Sequence, residues 1–515
     1  MEVAKRVAMN TGILYARMAV TVLISLYSTR LILAALGVAD FGLFNVVGGV
    51  ISMLGFLNSS MAAATQRFMS FAQGAGDLEK VKRIFNMSSL LHWGISVLLL
   101  LLLEGVGYFF FQGILNIAPD RIEVAKLIYQ FMVISTLFTV ISVPYEAVIT
   151  SHENMLVYAV MGVIEAVLKL GVALYITYTG HDHLVMYGVL MAILSIFLLI
   201  IKRIYCHRLY IECQLQVKKY YDKPLLKEIG GFAGWSLLGS SSGMIANYGQ
   251  TIILNIYFGT LVNAAQAIAG QISGQLGVFS VTLTKVLNPV IDKFEGSGNR
   301  INMIKATLAG TKISFFLLSI LYIPFLIEMP FILNLWLKNV PDFTILFCRL
   351  LLIRNLIEQL YIPLGNAIYA VGNIERFQKI ITYLNILPLI VTWVLFYLDA
   401  PVYSLYLIFI LFSIFQFFTV LKHSKLNYGL SYSLFLNEIV IKCLIVFIVS
   451  ILIGLIPVLF FREDLFRLIM VSCLGIFSYL GLIWKFILLN GEKLIAYKLG
   501  KSSLSFFRQM NNEDI

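Results

Sequence analysis

Arginines on apolar helices are the residues with the most chemistry to explain. The stretch YARMAVTVLISLYSTRLIL (15–33) is apolar with small hydroxyls between, yet it carries Arg17 and Arg30. A guanidinium at the centre of a membrane helix costs at least ~2.5 kcal/mol. What it offers in return is a planar fork of donors that matches phosphate or carboxylate oxygens two at a time. Both arginines lie near opposite ends of the stretch and can snorkel, so interfacial anchoring is the plain alternative. Arg349 and Arg354 sit on another apolar segment, with Glu358 one turn beyond Arg354, and Lys169 follows Glu165 by one turn. The i,i+4 spacing permits intrahelical ion pairs. Glu165 is the deepest acid, so Glu165 and Lys169 are also coupling candidates: a pair that separates during a transport cycle could take up and release a proton.

Catalytic chemistry has little support. The five cysteines (Cys206, Cys213, Cys348, Cys443, Cys473) form no C-x-x-C pair and read as free thiols. HDH (181–183) reads as a solvated turn, and no G-x-x-x-x-G-K-[ST] motif occurs. No catalytic residue, metal site or cofactor is expected.

The elements that must hold these charges are membrane helices. The 515-residue chain is 60% hydrophobic and 13% charged, with mean hydropathy +0.89; a soluble domain carries about 25% charged residues. Fourteen apolar segments long enough to span a bilayer are expected at 10–36, 41–66, 87–111, 124–150, 155–178, 184–201, 231–258, 263–290, 306–328, 343–370, 380–397, 402–420, 440–461 and 467–489. The N-terminus, the alternate loops and the C-terminus hold 24 Lys/Arg; on or beside the opposite loops lie five, Arg121, Lys126, Lys338, Arg462 and Arg467. That asymmetry predicts cytoplasmic termini. The net charge of +11 is therefore mostly topological and gives no argument for nucleic acid. MEVAKRVAMN leads into an uncleaved first helix.

The basic stretch 202–230 reads as a cytoplasmic linker between two six-helix halves. The expected organisation is an N-terminal lobe at 1–201, the linker, a C-terminal lobe at 231–425, two appended spans at 426–489 and a cytoplasmic tail at 490–515. The halves resemble each other. Aligning 36–76 with 258–298 at a constant offset of 222 superposes five glycines: Gly37 with Gly259, Gly48 with Gly270, Gly55 with Gly277, Gly74 with Gly296 and Gly76 with Gly298. An even number of spans per half makes the repeats parallel, as in some transporters that rock around a central site.

Polar stripes mark the repeat-related helices. Asn45, Ser52, Ser59 and Gln66 recur every seven residues and share one face. Gln271, Gln275, Thr282 and Lys285 fall within a narrow arc on the eighth span. On the first span Arg17, Thr21, Ser25 and Ser28 also share a side. Helix-to-helix packing explains any one of these residues, at about 0.6 kcal/mol each; three stripes on related helices favour a wet lumen. The acids within the spans are Glu104, Glu146, Glu165, Glu328, Glu358 and Glu438, several of them near span ends, and no aspartate falls inside a span. A lumen for organic cations would call for buried carboxylates, one for phosphate for arginine.

The stretch STRLILAALGVADFGLFNVVGGVISMLGFLNSSMAAATQRFMSFAQG (28–74) resembles the start of Wzx-type oligosaccharide flippases of the multidrug/oligosaccharidyl-lipid/polysaccharide exporter superfamily, in the variant of Bacteroidetes-like bacteria. The matching features are a basic residue late in the first helix, then Leu36, Gly37, Asp40, Phe41 and Gly42, then a Gly-rich helix ending in Gln66, Arg67 and Phe68. The resemblance implies an all-α polytopic membrane protein of about 14 transmembrane helices: two six-helix lobes in a V around a central cavity, plus two extra C-terminal helices. It implies a bacterial inner-membrane transporter, not an enzyme, that flips undecaprenyl-diphosphate-linked oligosaccharide for O-antigen, lipopolysaccharide or capsule assembly. Its implied partners are that lipid-linked substrate, membrane lipids and polymerase or glycosyltransferase machinery. By resemblance Arg17, Arg30, Arg67 and Lys285 are candidates to hold the diphosphate; Asn45, Ser52, Ser59, Gln271, Gln275, Arg349 and Arg354 complete the expected cavity lining. The rival within the superfamily is a cation-coupled multidrug exporter, which usually carries an acid in its first lobe; the first span here, 10–36, has none.

Overall fold

A chain this apolar must satisfy its backbone internally, and it does so with helices. The computed structural model describes residues 2–53, 55–114, 121–337, 339–487 and 493. The helices are α1 (Glu2–Met53), α2 (Gly55–Gly74), α3 (Leu78–Phe109), α4 (Ile122–Ser151), α5 (Met155–Tyr178), α6 (His183–Leu209), α7 (Lys223–Gly296), α8 (Arg300–Trp336), α9 (Thr344–Gln359), α10 (Ile362–Val371), α11 (Glu375–Tyr397), α12 (Ser404–Tyr428), α13 (Tyr432–Phe435), α14 (Ile441–Gly454), α15 (Ile456–Phe460) and α16 (Leu465–Leu482). Eleven segments among the described residues are long and apolar enough to cross a membrane. One is the 74-residue α7, which as a straight rod would measure about 110 Å against a hydrocarbon core of about 30 Å. It must break, and it does so at Gly259. That break, the stretch from Gly37 to Gly74, and α9 with α10 bring the number of spanning units to the expected fourteen. The tail expected at 490–515 lies outside the described residues apart from residue 493.

The breaks carry the repeat. Gly37 has φ 73°, ψ 171° and Gly259 has φ 77°, ψ −170°, a conformation open to glycine and strained for other residues. Gly76 and Gly298, also 222 apart, have φ 73° and 72°. Farther along, the register shifts to 219. Pro144 then pairs with Pro363, Asn154 with Asn373, and Glu153 (φ 57°) with Gly372 (φ 101°). The duplication seen in five glycines is thus a duplication of backbone path.

Two compact units emerge. The first comprises Gly12–Ser241 together with Asp292–Asn299; the second comprises Met1–Thr11, Ser242–Ile291 and the chain from Arg300 onward. In the first unit, the loop and termini are tied by side chains. Arg121 bridges Asp40 (2.8 Å) and Asp182 (2.5 Å), and Asp182 also caps α6 through the Leu184 and Val185 N–H groups. His183 contacts the Ala35 carbonyl at 2.7 Å. The HDH turn is therefore a structural tie between α1 and α6, where solvation alone was expected. Of the basic connection, only residues 210–222 lie outside helices. Asn86 of α3 donates to the Gln214 carbonyl and accepts from the Gln216 N–H, both at 2.9 Å. His152 stacks on Tyr210 at 4.3 Å and contacts Glu212 at 2.5 Å.

In the second unit, α14 and α16 dock on α8. Gly454 leaves room for Ile327 and Gly475 for Ile323, and Phe447 and Tyr479 pack against Phe315 and Phe316, respectively. The dock is locked by a buried fork: Arg467 donates from Nε and Nη2 to the two Glu328 oxygens, each at 2.8 Å, with Glu328 fully buried. Glu328 sits at a non-helical residue of α8 (φ −96°, ψ 20°), two residues before Pro330. Proline has no N–H, so Pro330 leaves the Leu326 carbonyl without its helical donor. Arg349 supplies the replacement, from Nε to Leu326 at 2.9 Å and from Nη2 to Ile327 at 3.1 Å.

These ties make two predictions. Arg467→Met strands the Glu328 charge, so the full chain in detergent should lose about 3–5 kcal/mol of stability, while Glu328→Leu/Arg467→Met should recover most of it. A thermal midpoint unmoved by the single change would make the fork superfluous. For the linker, burial works to raise the Glu212 carboxyl, but hydrogen bonds from His152, the backbone and Gln73 outweigh it and hold Glu212 below the usual carboxylate range. A lowered carboxyl stabilises above its ordinary value and loses that contribution only as pH falls through the lowered one. Tryptic cleavage after the exposed Lys218 and Lys219 should thus be equally slow at pH 6 and pH 8. It should rise several-fold at both in Glu212→Ala; an unchanged rate would show that Glu212 does not hold the linker.

Candidate functional site

The first unit encloses a cavity of ≈ 50 Å³ among α1, α4, α5 and α6, with Arg17, Glu146, Tyr158, Gly162, Glu165 and Lys202 in its wall. At about 10–15 Å³ per water on this measure it holds a few waters or one small anionic group, and not a sugar. Glycine at 162 is what admits the arginine: a Cβ there would stand 2.5 Å from Arg17 Cζ. The guanidinium lies over the Tyr158 ring, 4.5 Å from its centroid, a contact worth about 0.5–1 kcal/mol at partly exposed sites. The other charges are matched. Lys169 donates to Glu165 at 2.7 Å, and Lys202 lies 3.5 Å from Glu146. Arg17 is left as the surplus cation, its Nε buried with no hydrogen-bond acceptor among the described residues. A cavity with one unmatched guanidinium can take up one anionic group.

The second charged cluster of this unit lies where α2 and the end of α7 meet. Arg67 is 8% exposed, its guanidinium 4.7–5.2 Å from the ring centres of Phe68, Phe71 and Phe232. The carboxylates of Asp292, Glu228 and Glu295 act on it electrostatically, and Gln66 donates to Asp292 at 2.9 Å. Sequence reasoning placed Asp292 just outside a span and missed it. The signal available was its position 222 residues after Ser70, on the helix end that repeats the end of α2.

The remaining candidates separate into several settings. Arg30 is exposed on α1, away from the cavity wall. The side chains of Asn45, Ser52 and Ser59 lie outside the described residues. Gln271 and Gln275 are exposed and Lys285 half-buried, all on α7 within the second unit. Arg349 spends its donors on the α8 carbonyls described above. Arg354 pairs with Glu358 at 2.8 Å and lies over Phe409 at 5.0 Å. Neighbouring polar residues act as helix-to-helix ties: Asn355 donates to Ser273 at 2.7 Å, Ser280 to Gln359, and Ser242, Asn385, Gln416 and Tyr361 form one continuous chain. The structure thus brings Arg17 and Glu165 into one cavity wall, with Lys169 tied to Glu165, and leaves Arg349 and Arg354 of the second unit with different partners.

No protein-family model matches the sequence, and comparison with curated proteins finds no match. Solved structures do match in fold. A MATE transporter in complex with MaD3S superposes with TM-score 0.71 at 14% identity, covering 82% of this chain and 96% of that one. An outward-facing multidrug resistance MATE family transporter of the MOP superfamily gives 0.68 at 15%, covering 83% and 95%. A MOP superfamily transporter from Pyrococcus furiosus Vc1, described as having a binding pocket of reverse polarity that suggests a different function, gives 0.68 at 14%, covering 83% and 95%. The chain has the all-helical fold of these membrane transporters.

A half-buried cation without a matching carboxylate adds little to the stability of the fold. Arg17→Met, which keeps the stem and removes the charge, should leave the thermal midpoint of the full chain unchanged or slightly raised, in contrast to Arg467→Met. A drop as large as that of Arg467→Met would make Arg17 a structural residue and remove it from the candidate site.

Proposed function

We propose that the chain is a flippase that moves an undecaprenyl-diphosphate-linked oligosaccharide across the bacterial inner membrane by alternating access, for O-antigen or capsule assembly. Both termini lie in the cytoplasm on this reading, and two lobes rock about a central cavity. The observation that carries it is the charge of the first helix: Arg17 stands unmatched in a cavity of the first unit, and the first span has no acid. A diphosphate headgroup supplies the acceptor oxygens that a guanidinium fork matches, and desolvating that headgroup in a neutral lumen would cost several kcal/mol per charge. Arg17 receives the headgroup; Arg30, thirteen residues and about 19 Å farther along the helix, serves the opposite side. Lys285, Gln271 and Gln275 of the second unit, and Asn45, Ser52 and Ser59 of the first, are the further candidates on this reading.

The second reading is a cation-coupled multidrug exporter. It is favoured by the fold, since one matched structure is described as a multidrug resistance transporter; another is described as having a binding pocket of reverse polarity that suggests a different function. Coupling on either reading would fall to Glu165, whose tie to Lys169 is half exposed, with side chains 37% and 44% accessible. Exposed pairs contribute little to stability, so this one is cheap to separate.

Two measurements on the purified full chain decide between the readings. In proteoliposomes, diphosphate-linked glycolipid should be flipped and an organic cation should not be exported; drug export without glycolipid movement would sink the flippase reading. In binding, Arg17→Lys should weaken a diphosphate lipid about tenfold, because lysine lacks the bidentate fork, and Arg17→Ala should weaken it further. Affinity unchanged in both variants would take Arg17 out of the site.

A further inference from the structure

The first unit includes eight residues from farther along the chain, Asp292–Asn299, which comprise the end of α7 up to Gly296 and the turn after it; the stretch before them, Ser242–Ile291, is assigned to the second unit. Three contacts hold them. The first is a reciprocal crossing of repeat-related backbones. A Cβ on Gly74 would stand 2.7 Å from Lys293 Cα, and one on Gly296 would stand 2.7 Å from the Phe71 carbonyl carbon. Positions 74 and 296, and 71 and 293, are each 222 apart, so each repeat's glycine receives the other repeat's backbone. The second contact is Lys293 donating to Glu153 at 2.8 Å, with the Glu153 side chain only 4% exposed. Glu153 occupies a left-handed residue, φ 57°, where the second repeat has Gly372. Such a backbone costs about 1–2 kcal/mol in a non-glycine residue, and what the glutamate gains there is the tie to Lys293. The third contact is the cluster of Gln66, Arg67 and Asp292.

That cluster is poorly explained by stability. Arg67 and Asp292 are 8% and 4% exposed, and a buried charge pair is commonly no more stabilising than apolar residues of the same size. It also sits at the end of the helices that carries the basic loops, hence at the cytoplasmic side, where a substrate made in the cytoplasm must be admitted. An aspartate and a phosphate present the same thing to a guanidinium, a negative charge spread over acceptor oxygens.

From this geometry we infer that Asp292 is a built-in stand-in for the substrate's phosphate: it occupies Arg67 while the crossing of α2 and α7 is shut, and it yields Arg67 to a phosphate group when the crossing opens. This rests on the flippase reading above. It makes Arg67 the first cation met from the cytoplasm and makes opening sensitive to the anion it admits. The Glu153–Lys293 tie and the glycine crossing set how firmly the end is held.

The test uses the full chain in nanodiscs, with the native cysteines replaced by serine or alanine and one reporter, Ala72→Cys. Ala72 is fully buried beside the crossing, so its labelling by a polar maleimide reads opening. Inorganic pyrophosphate, and separately a diphosphate lipid, should each speed labelling several-fold, and Arg67→Gln should abolish both effects. An effect of the lipid without one of pyrophosphate would place recognition in the lipid tail and overturn the inference. Asp292→Asn should tighten pyrophosphate binding about tenfold, because its competitor is gone, and the gain should vanish in Arg67→Gln/Asp292→Asn. A purely structural aspartate predicts the reverse, weaker binding in Asp292→Asn, and that result would overturn the inference. Should Asp292→Asn fold poorly, Glu153→Gly keeps the left-handed residue and removes the tie; it should speed labelling several-fold without any anion, and unchanged labelling would show that the crossing is not held as described. Glycolipid flipping that persists while labelling ignores both phosphate probes would leave the flippase reading standing and this inference refuted. Export of organic cations without glycolipid flipping would instead refute the flippase reading itself.

Discussion

The physical constraint on which the rest depends is the need of a long apolar chain to reverse direction without leaving backbone groups unsatisfied in hydrocarbon. Helices meet that need along their length, but every reversal requires residues outside the right-handed region. Glycine supplies them at Gly37, Gly76, Gly259 and Gly298 in two repeats with φ between 72° and 77°. Where proline rather than glycine makes the break, as at Pro330 in α8, a side chain must complete the hydrogen bonding, and Arg349 does so. Stability at each break thus determines which polar residues are committed to structure and which remain free for ligands.

Charges inside the helices follow the same logic. Glu328 with Arg467, Glu358 with Arg354, Glu165 with Lys169 and Glu153 with Lys293 are each matched within their own unit. Burying a charge is tolerated when its partner is buried with it. Against that background the guanidinium of Arg17, resting on Gly162 and Tyr158, has no matching carboxylate, and its Nε finds no acceptor among the described residues. Such a group in a cavity wall adds little to the stability of the fold.

The sequence was most legible where structure depends on a residue type at one position. Five glycines at one offset located the duplication, and the 3.6-residue period located the i,i+4 pairs at Glu165 and Arg354. It was least legible where partners are remote. Arg467 read as a loop cation, and its acid lies 139 residues away. Arg349 read as a lumen cation because nothing local reveals that a proline on another helix has vacated a carbonyl. The three-residue change of register, from 222 to 219, hid the equivalence of Glu153 and Gly372, since residue identity differs exactly where the backbone agrees. Gln271, Gln275 and Thr282 read as a polar stripe, while on the same helix Ser273 and Ser280, which the stripe leaves out, bond to Asn355 and Gln359. Short hydroxyls look the same in a sequence whether they face a lumen or a neighbouring helix.

The duplicated backbone also shows where the chemistry was placed. At repeat-related positions the halves share glycines but not charges: Arg17 corresponds to Gly239, Arg67 to Pro289, Asp292 to Ser70, Lys293 to Phe71 and Glu153 to Gly372. A symmetric scaffold with symmetric charges would bind equally in both halves and would have no preferred partner for a headgroup. The second unit ties its helices in part with uncharged ladders such as Ser242, Asn385, Gln416 and Tyr361. Amide and hydroxyl groups exchange hydrogen bonds at far lower cost than ions do, so one duplicated backbone path carries ties of two different strengths.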